Sequence, residues 1–153
     1  MAVHPIPEGY PRVTPYLIVD DAAAAIDFYV SVLDAKEQMR MPTPDGSIAH
    51  AELSIGDSMI MLADESPDMG ASGPKTVGGS PVSLMVYVED VDATFAKALA
   101  AGATEAQPLE DKFYGDRSGT FDDPWGHHWH IASHVEDVSA EEMERRAAEQ
   151  FAG

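Results

Sequence analysis

Val13-Thr14-Pro15-Tyr16-Leu17-Ile18-Val19-Asp20-Asp21 and, 69 residues further on, Val82-Ser83-Leu84-Met85-Val86-Tyr87-Val88-Glu89-Asp90 carry one pattern twice. Each is an apolar run that closes on two acidic residues. Each leads into a segment with helical periodicity. In the first, Ala22, Ala25, Ile26, Tyr29, Val32 and Leu33 fall on one face at spacings of three and four. In the second, Val91, Thr94, Phe95, Ala98 and Leu99 do the same. Asp20 or Asp21, and Glu89 or Asp90, stand where a side chain can accept the free N–H groups of a first helical turn. Gly102 supplies a helix stop.

Working outward, three strand-like runs follow each helix. They are Ala35–Met41, Ile48–Ile55 and Ser58–Ala63 in the first half, with turns at Asp45-Gly46 and Gly56-Asp57. In the second half they are Thr104–Leu109, Asp116–Phe121 and His127–Ser133, with turns at Tyr114-Gly115 and Asp122–Gly126. The expected fold is α+β: two tandem βαβββ modules, at about 10–65 and 81–134, in one domain, forming a curved mixed sheet around a cavity. Residues 66–80 are rich in Gly, Pro and Ser, and read as a linker or a mobile lid. A C-terminal helix is expected over about 139–151, opened by a Ser139/Glu142 capping box and carrying a Met143, Ala147, Phe151 stripe.

The chain has 153 residues and no cysteine, so it offers no disulfide, thiolate metal site or cysteine nucleophile. That composition suits a cytoplasmic location. The net charge of −18 opposes binding to nucleic acid or an anionic membrane surface, both of which need clustered Lys and Arg. No apolar run approaches the ~18 residues of a membrane span, and Met1–Tyr10 does not read as a signal peptide. No phosphate-binding loop, dinucleotide fingerprint or nucleophile elbow occurs.

The tandem pattern resembles the glyoxalase/bleomycin resistance/extradiol dioxygenase superfamily, the vicinal-oxygen-chelate proteins, and within it the PhnB-like branch. The likeness rests on Val13–Leu17, Phe28-Tyr29, His50–Leu53, Gly56–Ser58 and Met61–Glu65. Its strongest stretch runs from Gly115-Asp116-Arg117 to Asp123-Pro124-Trp125-Gly126-His127. In metal-using members the ligands come from the first and last strands of each module. The resemblance maps those positions to Thr14, Ser83, His130, and Met61 or Ile60. His130 is the one metal-ligating side chain of the set, and three or more are needed. No cofactor is therefore expected. A divalent metal enters through a rearranged set, His130 with His128, His50 and Glu52, which strand alternation puts on cavity faces.

Glu52 and His130 are the candidate catalytic residues, Glu52 as a general base beside His50. Tyr16, His50, Tyr87, Tyr114, Arg117, Trp125 and His128 are the candidate ligand contacts: aromatic walls, and one cation able to clamp an anionic group. Three functions stay open. The first is a small organic molecule bound in the cavity between modules without the usual metal; the resemblance includes proteins that sequester cationic drugs. The second is a metal-dependent lyase, isomerase or dioxygenase. The third is a homodimeric interaction protein with a vestigial cavity. The resemblance implies a homodimer in each case.

Overall fold

The computed structural model describes residues 2–153. The architecture is α+β, with two compact units that meet in sequence at Gly79 and Ser80. In the N-terminal unit, β1 (Tyr16–Val19) leads into α1 (Ala22–Leu33), then β2 (Lys36–Pro42), β3 (Ile48–Ile55) and β4 (Ser58–Asp64). The sheet order is β1-β4-β3-β2, with β1 parallel to β4 and the other pairs antiparallel. The C-terminal unit repeats this with β5 (Ser83–Tyr87), α3 (Val91–Ala100), β6 (Thr104–Asp111), β7 (Asp116–Asp122) and β8 (His128–His134), in the order β5-β8-β7-β6. A final helix, α4 (Ala140–Gln150), closes the chain.

The helix starts follow from local chemistry. The Asp21 carboxylate accepts the Ala24 N–H at 3.1 Å, and the Asp90 carboxylate accepts that of Ala93 at 3.1 Å. A second acceptor then ties each helix to its sheet. Asp64, at the end of β4, accepts the N–H of Ala22 at 2.8 Å and that of Ile48 at 2.7 Å. Ser133, its equivalent on β8, accepts the N–H of Val91 at 3.1 Å and donates to the Val88 carbonyl at 2.6 Å. The first turn of each helix, which has no intrahelical acceptors, is thus bonded to the last strand of its own unit.

Burial follows the expected faces. Ala22, Ala25, Ile26, Tyr29, Val32 and Leu33 are all buried, joined by Phe28. They lie on the sheet face of Leu17, Val19, Leu53, Ile60 and Leu62, all buried as well. In the second unit Val91, Phe95 and Ala98 cover Phe121, Trp129 and Ile131, whereas Leu99 emerges at the surface.

The edges of elements differ from the sequence reading in one instructive place. β1 begins at Tyr16, after Pro15, so Val13 and Thr14 precede the strand. Pro15 has no N–H to give a ladder, although its carbonyl still accepts the Met61 N–H at 2.9 Å. The stretch 66–80 is not featureless. It holds a 3₁₀ turn, Pro67–Met69, and a four-residue helix, α2 (Pro74–Val77). Glu65 accepts the Gly73 N–H and the Thr76 hydroxyl there, and Lys75 reaches Asp20. Among the described residues, no helix is long and apolar enough to cross a membrane.

Gly115 controls how the chain leaves β8. Its φ is +99°, and a Cβ there would sit 2.1 Å from the Glu136 carbonyl oxygen. Its own carbonyl accepts the N–H groups of Val135 and Glu136. Gly115→Ala is expected to destabilise the protein by about 1–3 kcal/mol through backbone strain, read by urea denaturation. Asp64→Ala, which strands two backbone N–H groups, is expected to be at least as damaging as Ser133→Ala in the same assay.

Candidate functional site

Each sheet has one face under its helix and one face turned away from it. In the N-terminal unit, pairing places Tyr16, Met61, Glu52 and Met39 in one row across that second face. The neighbouring rows add Met41 opposite His50 and Met59 opposite Ser54. Four methionines therefore flank His50 and Glu52.

Tyr10, Glu52, His50 and Tyr16 form one hydrogen-bonded chain on this face. Tyr10 donates its hydroxyl to Glu52 Oε1 at 2.7 Å. Glu52 Oε2 stands 2.8 Å from His50 Nε2, and His50 Nδ1 stands 2.7 Å from the Tyr16 hydroxyl. The Tyr16 and His50 rings are 5.5 Å apart and tilted by 35°. Glu52 is buried, at 6% exposure, while Tyr16 is 47% exposed at the outer end. The His50 and Tyr10 hydrogen bonds hold the Glu52 carboxyl below its ordinary range. Tyr16 is pushed up by desolvation and by the Glu52 charge, so it stays a neutral phenol near pH 7. A groove of about 340 Å³ is lined by Gly9, Tyr10, Gln38, Ser54, Asp57 and Met59 among others.

The corresponding row of the C-terminal unit reads Met85, His130, Thr120 and Gln107. His130 is exposed, and Thr120 donates to Gln107 at 3.1 Å. His128 shares this face and pairs with Asp122. At the other end of the face, the buried Asp116 accepts the Tyr87 hydroxyl at 2.8 Å and stands 2.8 Å from His134 Nδ1. His134 Nε2 stands 2.8 Å from Asp137. Asp116 and then Asp137 raise the His134 pKa.

The remaining predicted contacts lie elsewhere. Arg117 is in register with Ser133, on the helix side, where it grips Asp92 at the start of α3 and Asp111 on β6. Tyr114 lies in the β6–β7 turn, edge-on to Phe113. Trp125 is buried in the β7–β8 loop. That loop is organised by Asp123, which accepts the N–H groups of Trp125 and His127 and the indole N–H of Trp129. Sequence reasoning missed Tyr10, Asp123 and the methionine row. Tyr10 lies in a proline-rich segment without periodicity, but the alternation of Met59 and Met61, and of Met39 and Met41, was open to reading.

The register fixes Met61, rather than Ile60, as the partner position of His130. Among the described residues, no three His, Asp or Glu side chains are grouped to hold a metal ion. Of the positions to which the resemblance maps the family's ligands, Thr14, Ser83 and Met61 carry no His or carboxylate, and His130 is the one metal-ligating side chain.

The chain belongs to the glyoxalase/bleomycin resistance protein/dioxygenase superfamily, whose sequence profile matches residues 9–131. It is 47% identical over 146 residues to Rv0887c of Mycobacterium tuberculosis, covering 94% of this chain and 86% of that protein. Among solved structures it is similar to TioX from Micromonospora sp. ML1, with a TM-score of 0.63, 31% identity, and coverage of 82% and 99%. A PhnB protein from Bacillus cereus shares the fold at TM-score 0.65 and 20% identity, over 80% and 99% of the two chains.

Two pH profiles follow. A carboxyl whose folded pKa is depressed gives stability that is present above its unfolded pKa and lost as pH falls through the folded one. Glu52→Gln is therefore expected to weaken the protein at neutral pH, and the gap from the parent to close below about pH 4. His134, raised in the fold, has the opposite sign: its contribution is complete below its unfolded pKa and fades as pH rises through the folded one. His134→Gln is expected to destabilise at about pH 5.5 and to be near neutral at about pH 9. Denaturant midpoints across pH check both.

Proposed function

We propose that this protein binds a small organic molecule on the methionine-lined face of its N-terminal sheet, and does so without the metal used by other members of the superfamily. The observation that carries this reading is the row Tyr16–Met61–Glu52–Met39. It sets a half-exposed phenol, and behind it a bonded imidazole and carboxylate, around Met61, a position to which the resemblance maps a ligand of metal-using relatives. Methionine thioethers form an adaptable, polarizable wall for apolar and aromatic groups. Tyr16 adds an aromatic surface and one directional polar contact.

In the C-terminal unit, His130 is exposed on the corresponding row between Met85 and Thr120. Glu52 serves in this reading as the fixed charge that orients His50, with Tyr10 on one oxygen and His50 at the other. Pairing into an isologous homodimer belongs to the same proposal. Light scattering is expected to return twice the 16.4 kDa chain mass.

The test is a compound screen by thermal shift on tag-free protein, followed by calorimetry. A ligand at about 100 times its Kd is expected to stabilise the fold by about 2.7 kcal/mol. Tyr16→Phe is expected to weaken that ligand about 3- to 10-fold, compared at a temperature where both proteins are folded. Added Zn²⁺, Ni²⁺, Mn²⁺ or Fe²⁺ is expected to give no stoichiometric heat. Stoichiometric metal binding that His130→Ala abolishes would overturn the metal-free reading.

A further inference from the structure

The hydrogen bonds on the N-terminal face run in one direction, and that direction selects the ligand. Glu52 is buried and accepts at both oxygens, from Tyr10 and from His50. An ionised carboxylate has no proton to give. His50 Nε2, 2.8 Å from Oε2, must therefore carry a proton. In the neutral imidazole the other nitrogen, Nδ1, is then a bare acceptor. The atom 2.7 Å from Nδ1 is the Tyr16 hydroxyl oxygen, which with His50 neutral is the donor of that bond. A phenol has a single proton. Once it is spent on His50, the Tyr16 oxygen has only lone pairs left to show to solvent.

We propose that Tyr16 is a hydrogen-bond acceptor locked in that sense by Glu52 through His50, and that the site selects apolar ligands carrying an N–H or O–H donor over isosteres that lack one. This rests on the binding reading given above and specifies its ligand class. The surroundings agree with it. Met61 is in register with Tyr16 and Met41 with His50, so a thioether stands next to each partner of the bond. A donor placed there finds the Tyr16 oxygen as its partner. An acceptor placed there meets another acceptor, with its own lone pairs desolvated. Tyr10 has a defined part. Its hydroxyl bond to Oε1 holds the carboxylate with Oε2 toward His50.

The experiment uses two probes of equal shape, indole and benzofuran, which differ by one N–H. Affinities are read from chemical-shift titrations of the ¹⁵N-labelled full chain at about pH 8. His50 is expected as the Nε2–H tautomer in its ¹⁵N spectrum, and indole is expected to bind about fivefold more tightly than benzofuran. Tyr16→Phe is expected to bring the ratio to about one while keeping both probes on the methionine face. Glu52→Gln, whose amide also offers an N–H, is expected to blur the tautomer and shrink the ratio. An Nδ1–H tautomer, or equal affinities in the parent with shifts at Met61 and Met41, would overturn the polarity while leaving the binding site standing. Binding of neither probe at that face, together with no hit in the wider compound screen, would overturn the binding reading itself.

Discussion

The fold depends on one contact made twice: a side-chain oxygen at the end of the last strand receiving the first N–H of the unit's own helix. Asp64 takes Ala22, and Ser133 takes Val91, at the same 69-residue interval as the sequence repeat. This fixes the helix over one face of the sheet, because β1 and β4, or β5 and β8, run parallel and deliver the helix start next to the strand end. Everything on the far face follows from it. With Leu17, Val19, Leu53 and Leu62 committed to the helix, strand alternation obliges Tyr16, His50, Glu52 and Met61 to point the other way.

The two units spend that second face differently. The N-terminal one places a buried carboxylate behind an imidazole and a phenol, with sulfur on either side. The C-terminal one carries His128, His130 and His134 at alternate positions of β8, two of them held by carboxylates on β7. The duplicated frame is the same and the chemistry is not. Membership of the superfamily therefore says little about the reaction or ligand, and the residues on these faces have to carry the argument.

Much of this was legible in the sequence. The eight strands and the three long helices stand within two or three residues of their expected places, because apolar periodicity and turn glycines mark them strongly. The first strand was read too long, since Pro15 breaks the ladder in a way that hydrophobicity alone does not show. Strand alternation also put His50 with Glu52 and His128 with His130 on common faces. What the sequence could not show was partnership over distance. Tyr10 meets Glu52 across 42 residues, and Arg117 meets Asp92 across 25. Neither pairing leaves a local pattern. The Asp-Pro-Trp-Gly-His stretch, which carried the family likeness most strongly, belongs to a loop that one carboxylate holds in shape, so its motif reports architecture.

The hairpins that close the two sheets differ in one respect with a practical outcome. β3 and β4 join through Gly56-Asp57, two exposed residues. β7 and β8 join through five, 123–127, wrapped around the buried Asp123 and Trp125. Pairing register, not loop length, decides which side chains share a face, so both turns deliver the same alternation despite their unequal size. For protein engineering the two joints are not interchangeable. The first is an exposed two-residue joint that holds no core group. The second is a keystone, and any graft there would have to rebuild the carboxylate and the indole it holds.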